Sequence, residues 1–310
     1  MKMEILQNLL PPNMVEKIEK AGIGTLKLLT LSVLDLKKVT NLTADDIAYL
    51  KDAISNYYKP PCITCDKLIE FPKFKKIPTG CKNIDSLLYG GFAAGTITEL
   101  YGESGSGKTQ IGITTAANSW PNKSVYICTE DIFPVKRLKQ ITHSSATNDH
   151  CEHIFVEHLT EPHELFSCIK VRLPRLLEQN KVSTLIIDSI AAPFRCESTN
   201  YMKRAEDLRE IAVMLLALAQ KYNLSVICIN QVTASFEKTL HVLPSLGLAW
   251  SNLVTYRLCL QKQSEACNAL LFQKGMQCNH TVRELSVVFA PDLPNASTKF
   301  IITSEGLRSI

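Results

Sequence analysis

The sequence predicts an α/β protein whose central sheet is mostly parallel, preceded by a small helical domain. From Thr79 onward, short apolar segments of strand length alternate with amphipathic helical segments, which is typical of a parallel sheet with helices on both faces. A glycine-rich loop joins the first of these strands to a helix. The residues before about position 58 show only helical patterns. We therefore predict a helical domain at 1–58, a linker at 59–78 and an α/β core at 79–310.

The composition limits the class of protein. The chain of 310 residues is 45% hydrophobic, which is enough for one large core and a small appended domain. No apolar run reaches the length of a membrane span and no secretory signal is visible, so we expect a soluble intracellular protein without a membrane partner. The eleven scattered cysteines are expected to be reduced core residues. A net charge of +4 permits nucleic-acid binding without requiring it.

Helical signals fill the first domain. A helix is predicted after Pro11–Asn13, and Gly22–Gly24 forms a turn behind it. Ser32 and Thr43 are predicted N-caps, the second with Asp46 as its partner in a capping box. The apolar stripe of the last helix consists of Ile47, Leu50 and Ile54. This pattern is typical of a helix-hairpin-helix, whose turn amides can bind a DNA phosphate, and equally of a helical domain that docks on protein.

The linker begins at two prolines, Pro60 and Pro61, which end the helix before them and stiffen the chain. The segment from there to Pro78 is expected to be extended. Cys62 and Cys65 form a C-x-x-C pair, but no second pair follows at zinc spacing, so a metal site is only a weak alternative. The basic stretch 72–76 favours a nuclear location, with the cytoplasm or a plain solvated linker as alternatives.

The segment Gly102–Thr109 reads G-x-x-x-x-G-K-T, the pattern of a phosphate-binding loop. Gly105 and Gly107 let the backbone turn tightly and approach phosphate closely, while the following helix directs its N-terminus at the anion. Lys108 is predicted to reach the β- and γ-phosphates of ATP, and the Thr109 hydroxyl to bind Mg²⁺. The predicted nucleotide-binding residues here are Gly102, Glu103, Ser104, Gly105, Ser106, Gly107, Lys108, Thr109 and Gln110.

Three polar residues follow buried strands of the predicted sheet, where the ligand crevice of such a sheet lies. Asp188 ends an apolar strand and is predicted to bind Mg²⁺ together with Thr109. Glu130 follows another strand and is predicted to deprotonate the attacking water. Gln231 is predicted to sense the γ-phosphate and relay its presence to the following loop. A capping Asp, a surface Glu and an ordinary loop amide remain the alternatives.

Further elements follow from apolar periodicity. The predicted strands are Thr96–Tyr101, Ser124–Thr129, His153–Glu157, Thr184–Asp188, Leu224–Asn230, Val282–Ala290 and Lys299–Thr303. The predicted helices are Gln110–Asn118, Pro134–His143, Glu161–Gln179 with a kink at Pro174, and Ala205–Tyr222. A crowded histidine region could hold a metal, although its spacing fits no established zinc pattern. Its members are His143, His150, His153, His158 and His163, with Cys151.

Taken together, these residues resemble the core of the RecA-type recombinases, and within them the eukaryotic recombinase paralogues. The likeness runs from about residue 9 to the C-terminus. The string Ile187–Glu197, which contains Ala-Ala-Pro-Phe-Arg-Cys-Glu, is more specific than a phosphate loop alone. The other segments that carry the likeness are Val125–Asp131 with Phe133 and Pro134, Cys228–Thr233, Leu246–Trp250, Ala290–Pro294 and Ser304–Gly306.

The resemblance implies an ATPase core that stacks head to tail, with ATP and Mg²⁺ at subunit interfaces. Glu130 matches the family's hydrolytic acid, and Arg137 matches an arginine near the adenine. Ala290–Pro294 matches a segment that caps the ATP of a neighbouring subunit, which makes Pro291, Asp292 and Pro294 interface residues. The loops after Asp188 and Gln231 match two DNA-binding loops. The candidate DNA contacts in them are Arg195, Lys203, Arg204 and Lys238.

Departures from the family pattern bear on assembly. Cys62 and Cys65 stand where strand-exchange recombinases have an aromatic residue and an alanine that dock on the next subunit, and they bury less apolar area. Asn41 replaces the second hairpin glycine, and the presumed DNA loops are short and hold few basic residues. These departures favour a dedicated partner, namely another paralogue acting with the main recombinase on single-stranded or branched DNA.

The predicted function is therefore an ATP-binding factor of homologous recombination repair with weak DNA-stimulated ATP hydrolysis. A non-hydrolysing nucleotide-gated scaffold and a filament-forming recombinase are the alternatives. A small-molecule kinase or a GTPase is disfavoured, because the sequence has no arginine-rich lid and no guanine-reading Asn-Lys-x-Asp string.

Overall fold

The computed structural model describes residues 4–59, 62, 64–68, 75–142, 150–194, 201–233, 243–263 and 281–310. The chain divides into two compact units, Met1–Phe71 and Pro72–Ile310. Because the second unit contains the predicted sheet, we call it the α/β core, and we call the first the helical unit. Among the described residues, none of the helices has the length and hydropathy that crossing a bilayer requires.

The helical unit follows the capping signals of the sequence. Its helices are α1 (Glu4–Leu9), α2 (Pro12–Ala21), α3 (Thr25–Thr30), α4 (Val33–Thr40), α5 (Ala44–Tyr58) and α6 (Cys65–Leu68). The predicted N-caps are confirmed: Ser32 Oγ accepts from the Asp35 amide at 3.1 Å, and Thr43 forms both bonds of a capping box with Asp46. The short helix α6 lies where we expected an extended chain, so that prediction was wrong.

A small apolar core holds the helical unit together. Its fully buried residues include Ile18, Leu28, Leu36, Ile47, Leu50 and Ile54. Asn41 ends α4 in the left-handed conformation, with φ of 53°, and its amide donates to the Lys37 carbonyl. Asparagine tolerates this conformation better than most residues, so the replacement of a glycine leaves the turn intact.

The α/β core is built on one nine-stranded sheet. Its strands are β3 (Ile97–Gly102), β4 (Lys123–Cys128), β5 (Ile154–His158), β6 (Val182–Asp188), β7 (Ser225–Asn230), β10 (Tyr256–Lys262), β11 (Arg283–Phe289), β12 (Ser297–Thr303) and β13 (Gly306–Ser309). The strand order is β13-β12-β11-β10-β3-β7-β6-β4-β5. The six strands from β10 to β5 in this order are parallel, while β11, β12 and β13 are antiparallel. The predicted mostly parallel sheet is thereby confirmed.

Two short strand pairs accompany this sheet, and helices cover it. The pairs join β1 (Lys76–Ile77) to β2 (Phe92–Ala93) and β8 (Val232–Thr233) to β9 (Leu243–Pro244). The helices are α7 (Lys82–Leu87), α8 (Lys108–Asn118), α9 (Val135–Thr142), α10 (Pro162–Ser167), α11 (Leu173–Gln179), α12 (Tyr201–Tyr222) and α13 (Gly247–Ser251).

Alternate residues of the central strands pack into two separate cores, as the period of a strand requires. In β6, Ile186 belongs to the same buried cluster as Ile111 of α8, whereas Leu185 and Ile187 belong to the cluster that contains Ile211 of α12. Both faces of the strand are thus apolar, which is why its sequence is a continuous hydrophobic run and not an alternating one.

Most of the helices and strands predicted from the sequence begin and end within a few residues of the observed bounds, and the exceptions have identifiable causes. Strand β10 was not predicted, because Arg257 and Gln261 interrupt its apolar pattern. The long helix expected at Glu161–Gln179 is instead α10, a π-helical turn at Cys168–Arg172 and α11. The irregularity thus begins before Pro174, in the turn that precedes it.

Candidate nucleotide-binding site

Four neighbouring parallel strands end at one edge of the sheet, and each contributes to one site. In sheet order they are β3, β7, β6 and β4. The phosphate loop follows β3, Gln231 follows β7, Asp188 ends β6 and Glu130 lies two residues after β4. The strand order therefore brings together residues that are far apart in the chain.

The loop Gly102–Thr109 has no room for larger residues at its glycines. Gly105 and Gly107 have φ of 70° and 112°, in the left-handed region that favours glycine. A Cβ at Gly102 would lie 2.1 Å from the carbonyl oxygen of Leu260 in β10. The helix α8 begins at Lys108, so its free amides adjoin the loop, as phosphate binding requires.

Lys108 lies within the loop that it is expected to serve. Its Nζ donates to the carbonyl oxygens of Gly102 at 2.7 Å and Glu103 at 2.9 Å. Burial lowers the pKa of this ammonium, while the carboxylates of Asp188 and Glu130 act in the opposite direction. The ammonium can exchange its two carbonyl partners for phosphate oxygens without leaving the loop.

Asp188 is held by two hydroxyl groups. Its Oδ2 accepts from Thr109 Oγ1 at 2.7 Å and from Tyr126 Oη at 2.8 Å. Burial raises the pKa of Asp188, and these hydrogen bonds with the charge of Lys108 oppose that rise. Because both hydroxyls contact Oδ2, Oδ1 is the oxygen that could bind a cation, and oxygen ligands of this kind suit Mg²⁺.

Tyr126 was missed by sequence reasoning. It lies in β4 and is fully buried, and burial raises the pKa of its phenol well above the ordinary value. A buried tyrosine normally has a hydrogen-bond partner, which was the available signal. That the partner would be Asp188 depends on the pairing of β4 with β6, which the sequence does not reveal.

Glu130 and Gln231 are brought into contact. Gln231 Nε2 donates to both carboxylate oxygens of Glu130, each at 2.6 Å. Beside this pair lies a cavity of about 180 Å³ lined by Thr109, Tyr126, Cys128, Glu130, Asp131, Ile132, Pro134 and Asp188. The ammonium, hydroxyl and carboxylate groups around this edge form a donor set that fits a nucleotide phosphate with Mg²⁺.

Arg137 connects three elements near the site. Its Nε donates to Gln110 Oε1 at 2.6 Å, and Nη1 and Nη2 donate to the carbonyl oxygens of Ser304 and Thr303 at 2.9 and 2.6 Å. It thus ties α9 to α8 and to the turn between β12 and β13. Its expected position near the adenine stays a prediction.

The candidate DNA contacts are only partly described. Lys203 and Arg204 lie in the first turn of α12, and Arg204 Nη2 donates to the Ser245 carbonyl at 3.4 Å. Arg195 and Lys238 lie outside the described residues. The described pair therefore stands at the end of α12 that adjoins the first presumed DNA loop.

The candidate interface residues are exposed within their own units. Cys62 and Cys65 are exposed free thiols. Pro291, Asp292 and Pro294 are exposed, and Asp292 forms an ion pair with Lys76 at 3.6 Å. Between them Leu293 is buried in the α/β core and anchors the segment.

The described residues of the histidine region do not support a metal site. In the part of the chain that the structure describes, no three His, Cys, Asp or Glu side chains are placed to hold a metal ion. His143 lies outside that part. His158 is paired differently, through a ring nitrogen 3.2 Å from the carbonyl oxygen of Glu130.

The fold and the site define a phosphate-loop nucleotide-binding protein with a RecA-like core. The Rad51 family model matches residues 72–310, and the chain belongs to this family. It is 32% identical to the DNA repair protein XRCC3 of Bos taurus, across 97% of this chain and 96% of that protein. It is 30% identical to the DNA repair protein XRCC3 of Mus musculus, across 99% and 98%. The DNA repair and recombination protein RadA of Aeropyrum pernix is 28% identical across 96% and 93%.

Proposed function

We propose that this chain is an ATP-binding recombinase paralogue that acts in DNA repair by homologous recombination. The observation that carries the proposal is the assembly of Lys108, Thr109, Asp188, Glu130 and Gln231 on four adjacent strand ends. Full-length likeness to DNA repair proteins of the Rad51 family supports the repair role. Mg²⁺ and ATP are the expected ligands, and the nucleus is the expected location.

Each residue of the site has a distinct task in this proposal. Lys108 binds the β- and γ-phosphates in place of its present carbonyl partners. Thr109 and Asp188 would hold Mg²⁺, which would supply positive charge to neutralise the phosphates. Glu130 accepts a proton from the attacking water, and the Gln231 amide orients that carboxylate.

The antiparallel course of β11 supports a nucleotide shared between subunits. Arg283, at the start of β11, donates to the Ser106 carbonyl of the phosphate loop at 2.8 Å. Phe289, at its end, pairs with Arg257, far from that loop. Strand β3 has six residues, so the two edges of the sheet are about 20 Å apart. On this ground we propose that Ala290–Pro294 caps the nucleotide of a neighbouring subunit and not its own.

The partner is proposed to be another recombinase paralogue, acting with the main recombinase on single-stranded or branched DNA. Cys62 and Cys65 support this, because two thiols bury less apolar area in a docking pocket than an aromatic residue with an alanine. Weak self-association follows, and the complex depends on a dedicated partner surface. Hydrolysis is proposed to be weak and stimulated by DNA.

One observation favours a second candidate, a nucleotide-gated scaffold without turnover. The side-chain amide of Gln231 donates to both oxygens of Glu130 at 2.6 Å, so the proposed base holds a protein partner in this state. If Glu130 stays engaged with Gln231 and does not reach the attacking water, binding of nucleotide alone would stabilise the subunit interface. The hydrolysing candidate requires that a remaining lone pair of Glu130 face the water while Gln231 orients the carboxylate.

A repair assay in cells that lack the protein separates these candidates. Lys108→Ala should fail to restore double-strand break repair, and full rescue by that variant would contradict the proposal. Glu130→Gln keeps the shape of the site while removing the base. Failure of Glu130→Gln supports the hydrolysing factor, whereas rescue by it together with failure of Lys108→Ala supports the scaffold.

A further inference from the structure

A buried chain of polar contacts runs from β10 to the nucleotide edge of the sheet. Arg257 Nε donates to Glu99 Oε2 at 2.6 Å, and Asn230 Nδ2 donates to Glu99 Oε1 at 2.7 Å. The Asn230 Oδ1 then accepts from the backbone N–H of Gln231 at 2.7 Å and from Ser245 Oγ at 2.8 Å. We call Arg257, Glu99, Asn230 and Ser245 the Glu99 network.

The charge of Glu99 determines which way the Asn230 amide points. A carboxylate only accepts hydrogen bonds, so the Asn230 NH₂ must face Glu99 and its oxygen must face Gln231 and Ser245. Glu99 and Asn230 are completely buried, so bulk solvent does not reach these side chains. The guanidinium of Arg257 forms an ion pair with Glu99 at 2.6 Å and compensates the buried charge.

The Glu99 network fixes the main chain of Gln231 on both sides. Its amide donates to Asn230, and its carbonyl accepts from the Ser245 amide at 2.9 Å. From this fixed main chain the Gln231 side chain reaches the two oxygens of Glu130. A change in the orientation of Asn230 would place two N–H donors against each other and displace Gln231.

We propose that Glu99 is a positioning residue for ATP turnover, acting through Asn230 to hold Gln231 against Glu130. The inference rests on the proposed function, because it assigns Gln231 and Glu130 to that site. It goes further by placing a control point on β3, away from the nucleotide. The Glu99 network does not contact the phosphate loop residues Lys108 and Thr109 through any of its hydrogen bonds described above, so it should act on turnover and not on ATP affinity.

The decisive change is Glu99→Gln in the full chain. Glutamine presents an NH₂ where one of the two carboxylate oxygens stands, so either Arg257 or Asn230 loses its acceptor and faces a donor. We expect kcat for ATP hydrolysis to fall about tenfold, with KM for ATP changed by less than about twofold. Glu284→Gln in β11 is the matched control, since Glu284 lies outside the site, and it should leave kcat unchanged.

A double-mutant cycle tests whether Glu99 acts through Gln231. In a Gln231→Ala background, Glu99→Gln should have no additional effect on kcat. A reduction of the same size in both backgrounds would contradict the proposal, because Glu99 would then act by another route. An unchanged kcat for the folded Glu99→Gln protein would also contradict it.

Amide exchange provides a readout that does not need turnover. Ser245→Ala removes the hydrogen bond from Ser245 Oγ to Asn230 and leaves the ion pair of Arg257 with Glu99 intact. This variant replaces Glu99→Gln as the test if Glu99→Gln does not fold. The Gln231 amide should exchange about threefold faster in this variant, while amides of β4 keep their rates. An unchanged Gln231 rate would overturn the inference. If the unmodified protein shows no measurable ATP hydrolysis, the role of Glu99 in turnover is contradicted. Amide exchange would still test whether the Glu99 network positions Gln231.

Discussion

The helix caps of the helical unit and the candidate site of the α/β core are built from hydrogen bonds of very different range. In the helical unit, the capping bonds join residues three positions apart, as between Thr43 and Asp46. In the site of the α/β core, Thr109 contacts a residue 79 positions away and Gln231 a residue 101 positions away. Each cap is therefore complete within one helix end, whereas the site depends on the pairing of four strands that are distant in the chain.

The largest effect that separates the two regions is expected from Lys108→Ala. In the proposed site the Lys108 ammonium is the charge that binds the β- and γ-phosphates, whereas Arg283 contacts the loop at the Ser106 carbonyl. Affinity for ATP with Mg²⁺ should fall at least about 100-fold by isothermal titration calorimetry, since charged hydrogen bonds are strong. Lys170→Ala, an exposed lysine in the same unit, should bind normally. Similar affinity in both variants would contradict the site.

Glu130→Gln should reduce ATP hydrolysis without reducing ATP affinity, although Glu130 lies at the same edge of the sheet as the phosphate loop. Loss of a general base reduces turnover by about 100-fold or more, while ATP affinity should stay within about twofold of native. Single-turnover hydrolysis and titration calorimetry measure the two quantities. The exposed Glu152→Gln is the control. A parallel loss of affinity would show that Glu130 binds nucleotide and does not act as the base.

Tyr126→Phe tests the contact that sequence reasoning missed. Removing the hydroxyl leaves Asp188 with Thr109 as its remaining hydroxyl donor, so the carboxylate is held less firmly toward the cation. Half-maximal ATP binding should require about tenfold more Mg²⁺, the size usual for groups that orient a metal ligand. Tyr49→Phe, an exposed tyrosine of the helical unit, is the matched control. An unchanged Mg²⁺ requirement would contradict this role.

The smallest effect is expected from Thr43→Ala, which removes a helix cap in the helical unit. Loss of the capping box should lower the opening free energy of α5 by about 1 kcal/mol, measured by amide hydrogen exchange in the full chain. ATP affinity should be unchanged, because the cap lies outside the α/β core. Ser55→Ala, in the exposed interior of the same helix, should not weaken α5. Reduced ATP affinity in Thr43→Ala would contradict the prediction that this cap does not affect the candidate site.

The same difference in range explains what the sequence could predict. The loop Gly102–Thr109 and the cap at Thr43 were predictable, because each motif is complete within a few adjacent residues. Asp188 was predictable from its place at a strand end. The partnership of Tyr126 with Asp188 was not, because it depends on which strand lies beside which.

The Glu99 network was likewise inaccessible from the pattern of residues. Glu99 reads as a polar residue in an otherwise apolar strand, and Arg257 interrupts the pattern of the strand that was missed. Their contact depends on the parallel pairing of β3 with β10. Pairing of distant strands is a property of the whole sheet, so single-sequence reasoning supplies the residues of such a network but not their connections.

The central claim, a nucleotide-binding paralogue that works with a partner, is tested most directly by light scattering. The purified chain is measured with and without ATP and Mg²⁺, alone and then with a co-expressed recombinase paralogue. We predict a one-to-one complex that nucleotide strengthens, and a chain that stays small by itself. ATP-driven filaments of the chain alone would contradict this account and would mean that Cys62 and Cys65 dock well enough to build a recombinase filament.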